Sequence, residues 1–70
     1  MEWTQTPNSS NVVAFGYDSE AQILTVEFKN GARYNYYDVP DTIADGMRSA
    51  DSTGSYLARN IKGSYRYARV

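Results

Sequence analysis

The sequence predicts a small α+β domain, a three-stranded antiparallel β-meander with one or two short helices packed on one face. Three features predict it. Residues 22–28 (QILTVEF) and 32–37 (ARYNYY) alternate in character on either side of Lys29-Asn30-Gly31, and Asn-Gly between alternating runs is a strong hairpin signal. The apolar period then lengthens after Val39-Pro40 from a strand's to a helix's. At 70 residues the chain has room for one domain only.

The elements follow in order. Residues 1–8 are polar and broken by Pro7, and are expected to be a flexible tail. Trp3 within it docks either on the domain or on a partner. Residues 11–17 (NVVAFGY) form the first strand, with Val13, Phe15 and Tyr17 on one face and Val12, Ala14 and Gly16 on the other. After the polar turn DSEAQ, the second strand puts Leu24, Val26 and Phe28 on one face. Asn30-Gly31 is expected to form a type I′ turn. In the third strand Tyr34 and Tyr36 share a face and Tyr37 takes the other.

Pro40 suits a first helical position, and Asp41 suits the positive end of the helix dipole. Val39, Ile43, Met47 and Ala50 then recur as one helical stripe. Gly46 costs that helix up to about 1 kcal/mol relative to alanine, which points to close packing or to simple tolerance. Asp51 or Ser52 caps a second short helix, Thr53–Ile61, with Tyr56, Leu57, Asn60 and Ile61 together and Lys62-Gly63 as its stop. Residues 64–69 (SYRYAR) alternate again and read as a short edge strand or an extended tail.

Composition narrows the chemistry. The chain holds no cysteine and no histidine, which removes disulfides, thiolate metal sites, the commonest zinc ligand and the usual general base. Asp38, Asp41 and Asp45 gather near the first helix and read as a solvated acidic face. No glycine-rich phosphate loop is present. The reading is a non-enzymatic protein without cofactor or metal. No apolar run is long enough to span a membrane and the first residues lack the regions of a signal peptide, so a cytoplasmic location is expected. Packing must come from seven tyrosines, two phenylalanines, one tryptophan and the aliphatic residues, or from self-association. Homo-oligomerisation therefore stays open.

Charge is unevenly spread. Residues 1–51 hold all eight acids and three cations, a balance of −5, whereas residues 52–70 hold Arg59, Lys62, Arg66 and Arg69 and no acid, a balance of +4. These cations interleave with Tyr65 and Tyr67, which is the composition of a phosphate-holding, base-stacking segment. The same cations can instead pair with acids across the fold. Tyr34 and Tyr36 read as anchors of the sheet against the helices, with hydroxyls reaching toward Asn60. Tyr65 and Tyr67 read as the stacking aromatics, and Tyr37 as the one that meets solvent or a partner.

YNYYDVP (34–40), the Ala-Asp-Ser-x-Gly stretch from Ala50 to Gly54, Tyr56 and RNIKGSYRY (59–67) together resemble the KTSC domain. That family is named for its occurrence at the C-terminus of some lysyl-tRNA synthetases and includes short stand-alone bacterial and phage proteins. The resemblance covers residues 9–70, including SSNVVAFGYD and LTVEFKNG, and implies a single KTSC-like domain there. Its signature falls on Tyr34, Tyr36, Asn60 and Gly63. It implies RNA binding, from the synthetase context, and adds no catalytic residue. The resulting expectation is a small RNA-binding or nucleic-acid-binding module using Arg59, Lys62, Tyr65, Arg66, Tyr67 and Arg69. The alternative is a phage or prophage accessory protein that contacts a host protein, or a small oligomer that sequesters a nucleotide ligand.

Overall fold

The computed structural model describes residues 2–6 and 11–70. Five strands form one antiparallel sheet in chain order: β1 (Glu2–Gln5), β2 (Val12–Asp18), β3 (Ile23–Phe28), β4 (Arg33–Tyr36) and β5 (Tyr67–Arg69). Between β4 and β5 lie α1 (Asp41–Ser49) and α2 (Thr53–Tyr56), the latter running on as a wide π turn over Leu57–Ile61. The α+β class and the meander hold, but the sheet has five strands rather than three.

One added strand comes from the expected tail. Glu2–Gln5 pairs with Tyr17–Ala14 along the outside of β2. Its polar sequence hides it because an edge strand is held by backbone hydrogen bonds and needs little apolar alternation. Trp3 docks on the domain: it lies opposite Gly16, and the Arg33 guanidinium carbon stands 5.3 Å from its ring centre. Residues 7–8 of the expected tail lie outside the described residues.

The β2 face assignment needs correction. Val12 pairs with Phe28 and Ala14 with Glu27, so Val13 is the extra residue of a β-bulge. The bulge turns Val12 onto the core face with Phe15 and Tyr17 and leaves Val13 exposed. The β3–β4 turn also differs from expectation. Gly31 has φ +89° but Asn30 does not have a positive φ. Phe28 N–H donates to Ala32 O, Gly31 N–H donates to Phe28 O, and Asn30 Oδ1 accepts from Ala32 N–H. This is a three-residue loop closed by a left-handed glycine, not a two-residue type I′ turn.

Both helices cover the face that carries Phe15, Tyr17, Leu24, Val26 and Tyr36. Val39, Ala44 and Met47 come from the α1 side, and Leu57 and Ile61 from the second helix. Pro40 is the N-cap of α1, one position ahead of expectation, and Ala50 is its C-cap rather than a core residue. The Tyr17 hydroxyl fixes the start of α1. It lies 2.5 Å from the buried Val39 carbonyl oxygen and 2.9 Å from Asp41 Oδ1, one donor shared by two acceptors. Val39 N–H in turn donates to Gln22 O at 2.9 Å.

Gly46 is a packing glycine. The Tyr56 ring lies against α1 at that point and its hydroxyl donates to Ile43 O at 2.9 Å. A methyl group at residue 46 would overlap the hydroxyl. Gly46→Ala is therefore expected to destabilise the protein by about 1–3 kcal/mol, despite alanine's better helix propensity. In a Tyr56→Leu background the same change should be neutral or stabilising by up to about 1 kcal/mol. Urea unfolding of the four variants in this cycle measures both.

Burial, helped by the neighbouring Asp41 carboxylate, pushes the Tyr17 phenol from 10.0 up to about 12. Because the folded-state value lies above the unfolded one, the protonated phenol stabilises fully below pH 10, and that contribution is lost as pH rises through about 12. Unfolding free energy should fall over this window, and Tyr17→Phe should make the fall shallower. An unchanged slope in the variant would contradict the Tyr17 assignment.

Candidate nucleic-acid interface

The end of the second helix builds one side of the site. Lys62 N–H donates to Leu57 O at 2.8 Å, the five-residue step of a π turn. The Asn60 side-chain amide donates to Tyr56 O at 3.3 Å, inside the same turn. Asn60 is thus exposed and turned toward its own helix; the expected reach of the Tyr34 and Tyr36 hydroxyls to it is absent among the described residues. Ile61–Ser64 then forms a type II turn, with Ser64 N–H donating to Ile61 O at 3.1 Å and Gly63 at φ +83°.

That turn delivers β5 to the outside of β4. Tyr34 pairs with Arg69, Asn35 with Ala68 and Tyr36 with Tyr67. Cross-strand partners share a face, so Tyr67 and Arg69 stand on the helix-bearing side with Tyr34 and Tyr36. Tyr36 is buried in the core, Tyr34 is half-buried, and Tyr67 is 60% exposed. The Tyr67 ring centre lies 5.7 Å from that of Tyr34 and 5.8 Å from that of Tyr36, and Phe28 meets Tyr34 edge-on at 5.7 Å. Lys62 Nζ lies 5.4 Å from the Phe28 ring centre.

Together these residues enclose an open cleft of about 500 Å³, with Phe28, Tyr34, Tyr36 and Tyr67 as aromatic walls and Lys62-Gly63 as the rim. Asn30 and Ala32 of the β3–β4 loop complete it. Among the described residues no Asp or Glu lines it, and Lys62 is the one charged side chain in its lining. Burial, with Tyr34 and Tyr67 beside it, raises the Tyr36 pKa and keeps that phenol protonated at neutral pH.

The sequence-predicted residues divide. Lys62, Tyr67, Tyr34, Tyr36 and Gly63 meet at the cleft, and Arg69 sits beside it as the partner of Tyr34. Arg59 stands exposed on the π turn. Neither Arg59 nor Arg69 has an ion-pair partner among the described residues. Arg66 goes elsewhere: strand alternation sends it to the opposite face, where it pairs with Asp38 at 2.9 Å and stacks over Tyr37 at 5.7 Å. Tyr65 packs against the core. Phe28, Asn30 and Ala32 were not singled out as site residues. The signal was present in the β3 alternation, which puts Phe28 on the face of Leu24 and Val26 and so, across the hairpin, beside Tyr34.

A second, more polar cavity of about 570 Å³ opens between β1 and the α1–α2 connection, near Thr4, Arg48, Ser52 and Gly54. None of the predicted binding residues reaches it. Among the described residues no group of three or more acidic, histidine or cysteine side chains is placed to hold a metal ion, and no helix is long and apolar enough to cross a membrane.

Gly63 lines the rim with open space around its Cα, so its conformation rather than crowding demands glycine. Gly63→Ala is expected to cost about 1–2 kcal/mol through the left-handed backbone alone. Thermal unfolding checks this, and a neutral substitution would contradict the turn assignment.

The KTSC domain family model matches residues 8–65. A lysine–tRNA ligase of Trichormus variabilis is 36% identical over 64 residues, which are 91% of this chain and 11% of the ligase. The chain thus spans about a tenth of the ligases it matches. A protein of Stutzerimonas stutzeri is 43% identical over 63 residues, 89% of each chain. The crystal structure of a KTSC domain protein from Yersinia pestis superposes with a TM-score of 0.86 at 28% identity, covering 99% of both chains. The fold, the matched residues and these relatives agree: the chain belongs to the KTSC domain family.

Proposed function

We propose that this KTSC domain is a non-enzymatic, cytoplasmic module that binds single-stranded RNA, or another unpaired nucleic acid, at the cleft beside β5. The observation that carries this reading is Tyr67, 60% exposed and braced against Tyr34 and Tyr36, next to Lys62 in a cleft that no carboxylate lines among the described residues. An exposed ring held by two others is a prepared stacking surface, and bases stack on such rings in a sequence-tolerant way. Lys62, with Arg69 and Arg59 at the flanks, supplies charge for the phosphates. The occurrence of the domain in lysine–tRNA ligases supports RNA as the polymer. Tyr65 and Arg66 drop to supporting roles, because one is packed and the other is already paired.

A second reading is contact with a host protein or a second copy of the chain. It draws support from β5, whose three residues are all exposed at the sheet edge. Trp3 adds little to it, since that ring is already engaged by Arg33.

Fluorescence anisotropy with a labelled single-stranded RNA separates the two. Binding should be measurable at about 50 mM salt and should weaken as salt rises, with a log–log slope of about −0.7 for each phosphate contact. Lys62→Gln should weaken binding and shrink that slope by about one contact. Arg66→Gln should leave the slope nearly unchanged. No binding at low salt, or binding indifferent to salt, would overturn the proposal.

A further inference from the structure

One residue of the cleft is chemically labile. Asparagine is a thermolabile side chain, because the backbone nitrogen of the following residue can attack its Cγ. A following side chain shields that nitrogen, and a β-branched one also stiffens the chain. Asn8, Asn11, Asn35 and Asn60 precede Ser9, Val12, Tyr36 and Ile61, whereas Asn30 precedes Gly31. The loop adds to this difference. Asn30 and Gly31 are both exposed, Gly31 has φ +89°, and nothing stands within 4 Å of where its Cβ would be. Asn30 Oδ1 accepts from Ala32 N–H at 3.0 Å, and the ring which that hydrogen bond closes contains Asn30 Cγ and the Gly31 nitrogen. The bond holds the carboxamide against the peptide group that would attack it and draws electrons from Cγ. Elsewhere the side chains are held away from such attack: Asn35 Oδ1 accepts from the Thr25 hydroxyl within the sheet at 2.7 Å, and the Asn60 amide donates to Tyr56 O inside the π turn.

We infer that Asn30 is a site of spontaneous deamidation, and that this change weakens phosphate binding at the cleft as the protein ages, a consequence that rests on the nucleic-acid reading. The Gly31 nitrogen bonds to Asn30 Cγ and the Cγ–Nδ2 bond breaks. The Gly31 amide proton leaves with ammonia, and a succinimide remains. Water then adds across one of the two ring C–N bonds. Opening at Cγ gives aspartate, and opening at the backbone carbonyl gives isoaspartate, with the chain rerouted through the side chain. No oxidant or reductant takes part. Gly31 N–H donates to Phe28 O at 2.9 Å, and that bond must open before the nitrogen attacks, so loop opening sets the rate in the folded protein. Either product puts a carboxylate where Asn30 lines the cleft, a lining whose one charged side chain among the described residues is Lys62. The new negative charge opposes the attraction that Lys62 offers a phosphate.

Peptide mapping by mass spectrometry reads the conversion of each asparagine, in folded protein held at mildly alkaline pH and in the chain held in urea. Asn30 should convert severalfold faster than Asn11, Asn35 and Asn60 in the folded protein, and faster again in urea. An Asn30 that stays intact in the folded protein, or converts no faster than the others, would overturn the site. Anion exchange then separates converted from intact chains of one aged sample, and anisotropy with a labelled single-stranded RNA at low salt compares them. The converted chains should bind severalfold more weakly, with a salt slope smaller by about one contact. Asn30→Asp, which keeps an oxygen for Ala32 N–H, should show the same weakening without ageing. Equal affinity of converted and intact chains would overturn the effect on the cleft and leave the single-strand reading standing. Failure of both to bind would overturn that reading and the effect with it, whereas the mass measurement decides the modification by itself.

Discussion

The shared hydrogen bond of the Tyr17 hydroxyl is the constraint on which the arrangement of this small domain depends. A sheet that carries its helices on one side must fix the point where the chain leaves the sheet. Here Tyr17, in the second strand, reaches the Val39 carbonyl and the Asp41 side chain, while the Gln22 carbonyl takes the Val39 N–H. Val39 is fully buried and held at both of its backbone groups. The first helix starts two residues later, so its placement is inherited from this anchor. The second helix is placed against the first by the contact of Tyr56 with Gly46 and Ile43.

The cleft is the far end of the same chain of dependence. The π turn and the type II turn at Ile61–Ser64 set where the last strand begins, and its pairing with the fourth strand sets where Tyr67 stands. Structural demands and those of the proposed binding therefore fall on the same residues. Tyr36 is both core and cleft wall, and Lys62-Gly63 both ends the helix and forms the rim. A basic, tyrosine-bearing C-terminus reaches the candidate site only because the two turns fold it back beside the third and fourth strands.

The sequence made the middle of the fold legible. The alternation of Leu24, Val26 and Phe28, the glycine after Asn30 and the boundaries of the second helix all follow from local periodicity and turn chemistry. The first strand did not, because Glu2–Gln5 is polar and held by pairing rather than by its own pattern. The bulge at Val13 was hidden for a related reason: an extra residue reverses the faces on one side of it, and only the partner strand reveals that. At the site, local pattern marked Lys62 and Tyr67 but could not separate them from Arg66 and Tyr65. That separation depends on which face the last strand presents and on the distant Asp38. Asn30 was legible as a turn former, whereas its place in the cleft is a product of tertiary folding.

The proposed function puts unpaired nucleic acid in the cleft between the fourth strand, the fifth strand and the end of the second helix. Amide chemical-shift mapping during titration with a short single-stranded RNA tests it most directly. The largest shifts should fall on Asn30, Tyr34, Lys62, Gly63 and Tyr67, with Trp3 and Arg33 on the opposite sheet face unmoved. Shifts centred on Trp3, Arg33 and Tyr37, or none at low salt, would contradict it.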